Sequence, residues 1–234
     1  MVALALLRRD PLKYSIWSLP SRGRPKSMAR FLEAYHDTEA RCPVYVGLDR
    51  DDPTLGDYLR LVYPANWHVV IGDRSPAKPC NAIHEDVFRQ FKDASCYGLI
   101  GDDVVPRTKR WDEELAHAAG LHQLAYGDDG FQGEALATHP CVGGELVRAI
   151  GWLVLPCVRH AFADTALHTI ARNAQRLVYL PEVKTEHLHP LAGKAPMDAT
   201  YQFDRGFKDD QAAAREWAAL ELPIIVERLL KETA

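Results

Sequence analysis

Cysteine is scarce in this sequence and never occurs in a Cys-x-x-Cys pair. An odd number of scattered cysteines excludes both the paired spacing of a zinc cage and the disulfide framework of a small secreted protein. We therefore expect reduced, mostly buried thiols and a cytosolic protein. The five cysteines are Cys42, Cys80, Cys96, Cys141 and Cys157.

Long apolar runs are also missing, so the sequence predicts no membrane-spanning helix and no membrane partner. Residues 1–7 are apolar, but Arg8 and Arg9 follow them, which is the reverse of the order in a secretory signal. The formal net charge at pH 7 is only -4, so the chain as a whole lacks the charge of a dedicated polyanion binder.

Internal repeats, low-complexity segments and two common nucleotide fingerprints are absent as well. The loop after the first predicted strand has neither the Gly-Lys-Ser/Thr of a Walker loop nor a Gly-x-Gly-x-x-Gly sequence. What the sequence does contain is 234 residues, 47% of them hydrophobic, which is enough for one α/β domain with a substantial core.

The first half of the chain alternates predicted strands and helices, which indicates a parallel sheet with right-handed crossovers. The second half is less regular, and Asp209 is predicted to cap a C-terminal helix that Pro223 splits. The predicted fold class is therefore α/β, a single domain over 1–234. Its predicted strands are residues 13–19, 44–48, 67–71, 97–100, 123–126, 135–137 and 177–180, and its predicted helices are 26–35, 54–61, 81–92, 143–150 and 164–173.

The most informative motif is a pair of carboxylates, Asp102 and Asp103, that closely follows the apolar run 97–100. A buried strand would deliver them to the carboxyl edge of the sheet, where α/β proteins bind ligands. Because adjacent carboxylates repel each other, they need a cation or hydrogen-bond donors when they are buried. A divalent metal ion carrying a diphosphate would meet this need; a turn with a helix cap is the alternative. A second pair, Asp128 and Asp129, is flanked by glycines and is interpreted as a turn.

Polar side chains also follow the first two predicted strands. The loop 20–25 carries Arg22 and Arg24 near a helix start, which suits a nucleotide base or phosphates; a solvated turn is the alternative. Asp49 could accept hydrogen bonds from a ribose hydroxyl or a base N–H. Asn81 begins a later helix and could face the nucleotide or only cap that helix. The candidate nucleotide-sugar-binding residues are Pro20, Ser21, Arg22, Arg24, Asp49, Asn81, Asp102 and Lys194.

Side chains late in the chain could complete such a site. His187 and His189 project to the same side of an extended segment, so one imidazole could complete a metal shell begun by Asp103. A diphosphate in an oxygen-rich site favours manganese or magnesium, with zinc as the alternative. Asp164 is either a helix N-cap or a general base for an acceptor hydroxyl. Lys194 either closes over a phosphate or lies in a surface turn.

In their order along the chain, these parts resemble a GT-A-fold glycosyltransferase of the family-2-like kind, over roughly residues 13 to 194. The sequence departs from the family at Gly101, which stands where the first aspartate of the Asp-x-Asp metal motif usually occurs. The resemblance implies that Asp103 and His187 bind the metal and that Asp102 contacts the ribose or the donor sugar. The matching positions are the loop 20–25, Asp49, Asn81, Gly101, Asp102, Asp103, Asp164, Glu186, His187 and His189.

The same resemblance implies a Rossmann-like domain with a mixed, mostly parallel sheet flanked by helices. Residues 1–106 would form a nucleotide-binding half, 107–208 an acceptor- and metal-binding half, and 209–234 a C-terminal helical segment. A sugar would leave a nucleotide diphosphate, with UDP favoured, and join an acceptor hydroxyl. Asp164 would take the acceptor proton in an inverting enzyme and would orient the acceptor or the donor in a retaining one.

The chain looks most like small phage-type transferases, some of which glycosylate hydroxymethylpyrimidines in DNA; a viral chain would work in the host cytoplasm. A basic stretch after the acidic pair would then hold DNA phosphates and stack on a base, or form a solvated helix face. Three other classes stay open: a nucleotidyltransferase, a metal-dependent hydrolase and an inactive nucleotide-sugar-binding module. The basic stretch consists of Arg107, Lys109, Arg110 and Trp111.

Overall fold

The computed structural model describes residues 14–73, 75, 80–197 and 206–232. The apolar segment 1–7 and its two arginines lie outside these residues. In chain order the elements are β1 (Ser15–Ser21), α1 (Pro25–Asp37), β2 (Val44–Asp49), α2 (Leu55–Tyr58), β3 (His68–Gly72), α3 (Asn81–Gln90), β4 (Cys96–Leu99), β5 (Val104–Pro106), α4 (Trp111–Ala119), β6 (Leu124–Asp128), β7 (Cys141–Gly143), α5 (Gly144–Ile150), α6 (Ala163–Asn173), β8 (Leu177–His187), α7 (Phe207–Leu220) and α8 (Leu222–Lys231).

The strands form a mixed sheet in the order β3-β2-β1-β4-β7-β6-β8-β5. Strands β1 to β4 pair in parallel with one another. Strand β7 is antiparallel to both β4 and β6, and β6 pairs in parallel with β8. The short β5 closes the far edge by antiparallel pairing with β8. The predicted α/β class, with a mixed and mostly parallel sheet flanked by helices, is confirmed.

Alternate residues of the central strands supply two hydrophobic layers, one on each face of the sheet. On β1, Ile16 belongs to the layer under α3, α5 and α6, whereas Trp17 belongs to the layer under α1 and α4. Trp17 packs edge-on against Trp111 with ring centroids 4.5 Å apart. This two-sided burial explains the near-continuous apolar sequence of β1, β2 and β4, because a parallel strand covered on both faces has no solvent side.

Helix α1 shows how the sequence encodes one of these layers. Pro25 stands in its first turn, where a missing N–H costs nothing, and Met28, Phe31, Leu32 and Tyr35 are buried at helix spacing. The helix packs this apolar stripe onto the sheet, and it begins only a few residues after the end of β1. The loop between them is therefore short and held at the carboxyl edge of the sheet.

The predictions for the second half were partly wrong. Residues 133–135 form a 3-10 turn, so the strand predicted at 135–137 does not exist. Strands β5 and β7 were not predicted, because three residues carry no readable periodicity. Strand β8 is eleven residues long and continues through Pro181, where the register with β6 shifts. A bulge of this kind tolerates a proline, which has no N–H for the ladder.

The C-terminal helices also differ from the prediction in one detail. Pro223 does stand in the first turn of α8 and separates it from α7. However, α7 begins at Phe207 after Gly206, so Asp209 lies inside the first turn and is not the cap. Gly206 has φ +76°, a left-handed conformation that glycine adopts without strain, and it sets the start of the helix. None of the helices in the described part of the chain combines the length and apolarity that a membrane span requires.

Candidate functional site

Six segments meet at one edge of the sheet. The parallel strands β1, β2, β4 and β6 end there, and the antiparallel β7 begins there. The carboxyl end of β8 reaches the same edge, because Val104 of β5 pairs with His187. This topology brings together residues from the first quarter, the middle and the last quarter of the chain, as expected for the ligand edge of an α/β sheet.

The acidic pair lies at the centre of this edge and is neutralised by Arg24. The Nη1 atom of Arg24 is 3.2 Å from Asp102 Oδ1 and 3.1 Å from Asp103 Oδ2. The side chains of Arg24, Asp102 and Asp103 are only 11%, 7% and 15% exposed, so this is a largely desolvated charge cluster. Burial and the neighbouring Asp103 raise the pKa of Asp102 to about 6, even though Arg24 acts to lower it.

A hydrogen-bond chain positions Asp102 from the opposite side. Ser21 Oγ donates to Asp102 Oδ2 at 2.5 Å and lies 2.8 Å from the hydroxyl of Tyr58. The backbone N–H of Arg24 donates to the same Tyr58 hydroxyl at 2.8 Å. Since the Ser21 proton is used on Asp102, Tyr58 donates to Ser21. Tyr58 was not among the predicted site residues, and nothing in its sequence neighbourhood marked it.

His187 faces two carboxylates. Its Nε2 is 3.6 Å from Asp103 Oδ1, and its Nδ1 is 3.8 Å from Asp129 Oδ2. Backbone bonds hold both neighbours in place: the His187 N–H donates to Asp129 O, and the Leu188 N–H donates to Asp103 O, each at 2.9 Å. Burial alone would lower the pKa of His187, but the carboxylates of Asp103 and Asp129 raise it to about 9.

These atoms fit a divalent cation that is shared with a phosphate ligand. Asp103 and His187 offer one oxygen and one nitrogen side by side, and Nδ1 of His187 is buried without a hydrogen bond while facing Asp129. A carboxylate behind a ligating imidazole is the usual arrangement around bound metal ions. Within the described ranges, no group of three or more histidine, cysteine, aspartate or glutamate side chains could hold a metal alone. Mg²⁺ commonly binds through one or two protein ligands and substrate phosphates, so two suffice.

Asp129 is both the turn residue that the sequence suggested and a member of the site. Its Oδ1 accepts the backbone N–H groups of Phe131, Gln132 and Gly133, and its Oδ2 accepts from Thr138 Oγ1 at 3.0 Å. Burial opposes its ionised form, but His187 and these N–H donors hold the pKa of Asp129 well below its usual range. Because a flanking glycine pair is typical of turns, the sequence alone could not show that this carboxylate also faces His187.

His139 is a second residue that the sequence analysis missed. It precedes β7 at the same edge, and its ring lies 4.8 Å from the ring of His187. Its Nε2 is buried and has no hydrogen-bond partner, and burial lowers its pKa to about 3. A single histidine before a proline in a loop carries no sequence signal, since only the antiparallel insertion of β7 brings it here.

The other predicted nucleotide-side residues lie near the ends of β1 and β2 and at the start of α3. Arg22 Nη1 is 3.0 Å from Asp49 Oδ2 and 2.5 Å from Asp51 Oδ1, so two predicted contacts form a pair with each other. Pro20 lies within β1, opposite Gly47 of β2. Asn81 begins α3 and is buried, and its Nδ2 atom has no hydrogen-bond partner.

Asp164 and Lys194 are the two remaining predicted site residues. Asp164 lies in the first turn of α6, and its Oδ1 accepts the N–H of Thr165 at 2.7 Å. Burial raises the pKa of Asp164, while the charge of His187 acts in the opposite direction. Lys194 Nζ is 3.2 Å from Oε1 of Glu186, the residue before His187.

The basic stretch after the acidic pair differs from the prediction at Trp111. Trp111 is fully buried against Trp17, so it cannot stack on a base. The three cations each face a carboxylate: Arg107 pairs with Glu186, Lys109 with Glu39 and Arg110 with Glu113. The prediction failed for Trp111 because helix α4 turns its first residue into the core.

No protein-family model matches this chain, and no curated protein matches it. Solved structures do share its fold. A mycobacterial protein aligns with a TM-score of 0.58 and 10% identity over 87% of this chain and 74% of its own. The 4-diphosphocytidyl-2C-methyl-D-erythritolsynthase of Anaerococcus prevotii DSM 20548 aligns with a TM-score of 0.51 and 9% identity. This alignment covers 86% of this chain and 98% of the synthase. A Desulfovibrio desulfuricans G20 protein provisionally named a nucleotide-diphospho-sugar transferase aligns with a TM-score of 0.50 and 10% identity. The alignment covers 92% of this chain and 98% of that protein. At such identities the likeness concerns the fold alone.

Proposed function

We propose that this protein is a glycosyltransferase that moves a sugar from a nucleotide diphosphate, with UDP favoured, to an acceptor hydroxyl. The observation that carries the proposal is the approach of His187 Nε2 to within 3.6 Å of Asp103 Oδ1 at the ligand edge of the sheet. A side-chain pair of this kind, with Arg24 beside it, suits a bound diphosphate. The fold shared with proteins named for nucleotide-diphospho-sugar and diphosphocytidyl chemistry supports a nucleotide substrate.

The difficult part of this reaction is the negative charge that develops on the departing diphosphate. Mn²⁺ or Mg²⁺ held by Asp103 and His187 would supply charge neutralisation when bound. The carboxylate of Asp129 faces Nδ1 of the His187 ring, while Nε2 of that ring is directed at Asp103. Arg24 supplies a permanent positive charge at the same place, because a guanidinium stays protonated at any physiological pH.

The remaining predicted residues take roles at either side of the diphosphate. In this proposal Ser21, Arg22, Asp49 and Asn81 bind the nucleoside, and Asp102 binds the ribose or the donor sugar. Asp164 accepts the acceptor proton if the enzyme inverts. Burial raises the pKa of Asp164, which is the direction that makes a carboxylate a better base at neutral pH.

The proposed acceptor is a hydroxymethylpyrimidine in DNA. A hydroxymethylpyrimidine in DNA follows from the resemblance to phage-type transferases, but the stretch expected to contact DNA has its tryptophan in the core. A double-stranded oligonucleotide with 5-hydroxymethyluracil, compared with the free nucleoside, tests this acceptor directly. Sugar transfer to neither would remove 5-hydroxymethyluracil from the proposal and leave the donor chemistry intact.

Nucleotidyl transfer is the second candidate, favoured by the fold shared with the diphosphocytidyl-methylerythritol synthase. The charge of the site argues for the diphosphate reaction, because a nucleoside triphosphate brings more negative charge than a nucleotide sugar. Near the acidic pair, Arg24 already balances two carboxylates. The products separate the two reactions: glycosyl transfer releases a nucleoside diphosphate, whereas nucleotidyl transfer releases pyrophosphate.

The deciding experiment combines binding with product analysis. The purified protein is screened by thermal shift against UDP-sugars, GDP-sugars and nucleoside triphosphates, with and without manganese, and the products of any stabilising ligand are identified. We expect stabilisation by a nucleotide sugar that depends on manganese, followed by release of the diphosphate. Pyrophosphate release would support the second candidate. Binding without turnover for every acceptor supplied would support an inactive binding module.

Asp103→Asn tests the site itself, with Asp73→Asn as its matched control. Asp73 is an exposed carboxylate at the same sheet edge, after β3, where it pairs with Arg50. We expect Asp103→Asn to lose manganese-dependent stabilisation and turnover, and Asp73→Asn to retain both. Near-normal turnover of Asp103→Asn would remove this carboxylate from the mechanism. For Asp164→Asn, transfer should fall far more than nucleotide-sugar affinity.

A further inference from the structure

An aromatic side chain remains open at the rim of this polar site. Phe131 is 37% exposed, although it lies only 6.5 Å, ring centroid to ring centroid, from His187. It stacks on His189 with centroids 5.1 Å apart and planes inclined by 9°. The rings of His187 and His189 are themselves 5.0 Å apart, so the aromatic stack continues into the site.

Hydrogen bonds to Asp129 tie the loop that carries Phe131 to the ligand edge of the sheet. The backbone N–H of Phe131 donates to Asp129 Oδ1 at 2.9 Å, and two further N–H groups of the loop share that oxygen. The other oxygen of the same carboxylate faces His187. Gly130 and Gly133 provide the left-handed turns, with φ +65° and +54°. Phe131 is therefore held at a defined distance from His187, as a binding wall must be.

The position of Phe131 in the sheet indicates which substrate it meets. The proposed nucleoside contacts lie at the ends of β1 and β2 and at the start of α3, whereas Phe131 follows β6. Strands β4 and β7 lie between them, with the acidic pair at the end of β4. A donor whose nucleoside lies over β1 and β2 and whose diphosphate lies over β4 leaves the β6 side for the acceptor.

We infer that Phe131, backed by His189, forms a stacking wall of the acceptor subsite and takes an acceptor that presents a flat ring face. The inference rests on the proposed function, since it assigns the second substrate of the same site. Both a pyranose and a nucleobase can cover an aromatic ring in this way. Two probes distinguish these sources: methyl β-D-glucopyranoside and 5-hydroxymethyl-2′-deoxyuridine.

Steady-state kinetics on Phe131 variants test the wall. Phe131→Ala and Phe131→Leu should raise the acceptor KM by about 5- to 100-fold, which is the range that loss of one ring stack allows. Phe131→Trp should keep the acceptor KM near its wild-type value, because an indole ring can also stack. Donor affinity by calorimetry and acceptor-independent hydrolysis of the nucleotide sugar should stay unchanged. Leu191→Ala, which removes another exposed apolar residue two positions after His189, is the control and should change neither.

A binding measurement keeps this inference separate from the proposed reaction. Saturation-transfer NMR detects each probe on the wild-type protein without turnover, and the signal should fall in Phe131→Ala. An unchanged acceptor KM in Phe131→Ala, or no probe bound by the wild type, would overturn the stacking wall. An equal loss of donor and acceptor binding would also overturn it. Ring binding that needs Phe131 in a protein that releases no diphosphate would uphold the wall and reject the glycosyltransferase.

Discussion

Replacing Arg24 by glutamine should make the acidic pair a stronger cation site and a weaker diphosphate site. In the structure, one guanidinium nitrogen bridges Asp102 and Asp103 at 3.2 and 3.1 Å. A metal ion that binds Asp103 must compete with this contact. In the proposed function the same guanidinium also neutralises the diphosphate, so its loss should act on the two ligands in opposite directions.

The size of the effect follows from the burial of the pair. A hydrogen bond to a charged group contributes about 1.5–3 kcal/mol, and Arg24 makes two of them, one to each aspartate. Much of that sum is offset by the cost of desolvating Arg24, Asp102 and Asp103. A net cost of about 1–3 kcal/mol for displacing Arg24 corresponds to roughly 5- to 150-fold in affinity. The gain is reduced near neutral pH, because the pKa of Asp102 is already about 6 and rises further without Arg24. The comparison is therefore best made at pH 8, above the wild-type pKa of Asp102.

Mn²⁺ binding by calorimetry or electron paramagnetic resonance measures the first effect without any turnover. Arg22→Gln is the matched control, since Arg22 pairs with Asp49 and Asp51 instead of the acidic pair. We expect Arg24→Gln to bind manganese more tightly than both the wild type and Arg22→Gln. It should bind the nucleotide sugar more weakly than the wild type does. Unchanged or weaker manganese binding in Arg24→Gln would refute the competition between guanidinium and metal.

Three further outcomes test other parts of the structure. Gly101→Ala places a Cβ 2.6 Å from the present position of Asp103 Oδ1, so that carboxylate must move. Manganese binding should weaken at least about tenfold, with little change in Tm. Gly72→Ala is the control, because its Cβ would enter open space, and it should change neither quantity. Burial lowers the pKa of His84 in the folded protein to about 3. Below about pH 6.5 the His84 imidazole is therefore protonated in the unfolded chain but stays neutral in the folded protein. The free energy of unfolding should therefore fall as pH drops from 6.5 toward 4, and His84→Gln should make this fall shallower in urea titrations. Trp111→Ala should lose about 3–5 kcal/mol of stability in the same assay, and a loss below 1 kcal/mol would contradict its place in the core.

Local sequence patterns were sufficient for the parallel half of the fold. Apolar runs of strand length alternate with amphipathic helices there, and each pattern is complete within about ten residues. The same patterns indicated that Arg24, Asp49 and Asp103 follow neighbouring strands. Since parallel strands end at one edge, their common location needed no further information.

Long-range pairing decided the rest. His187 reaches Asp103 because β8 continues through a bulge at Pro181 and pairs with the three residues of β5, and neither feature has a periodicity to read. The turn predicted at Asp129 is present, but its contact with His187 also depends on distant segments of the chain. What the sequence determined alone was which residues lie at strand ends and helix faces, because those depend on neighbours in the chain. Which of them share a site was decided by tertiary structure, because a contact between distant segments depends on strand order and register that no single segment encodes.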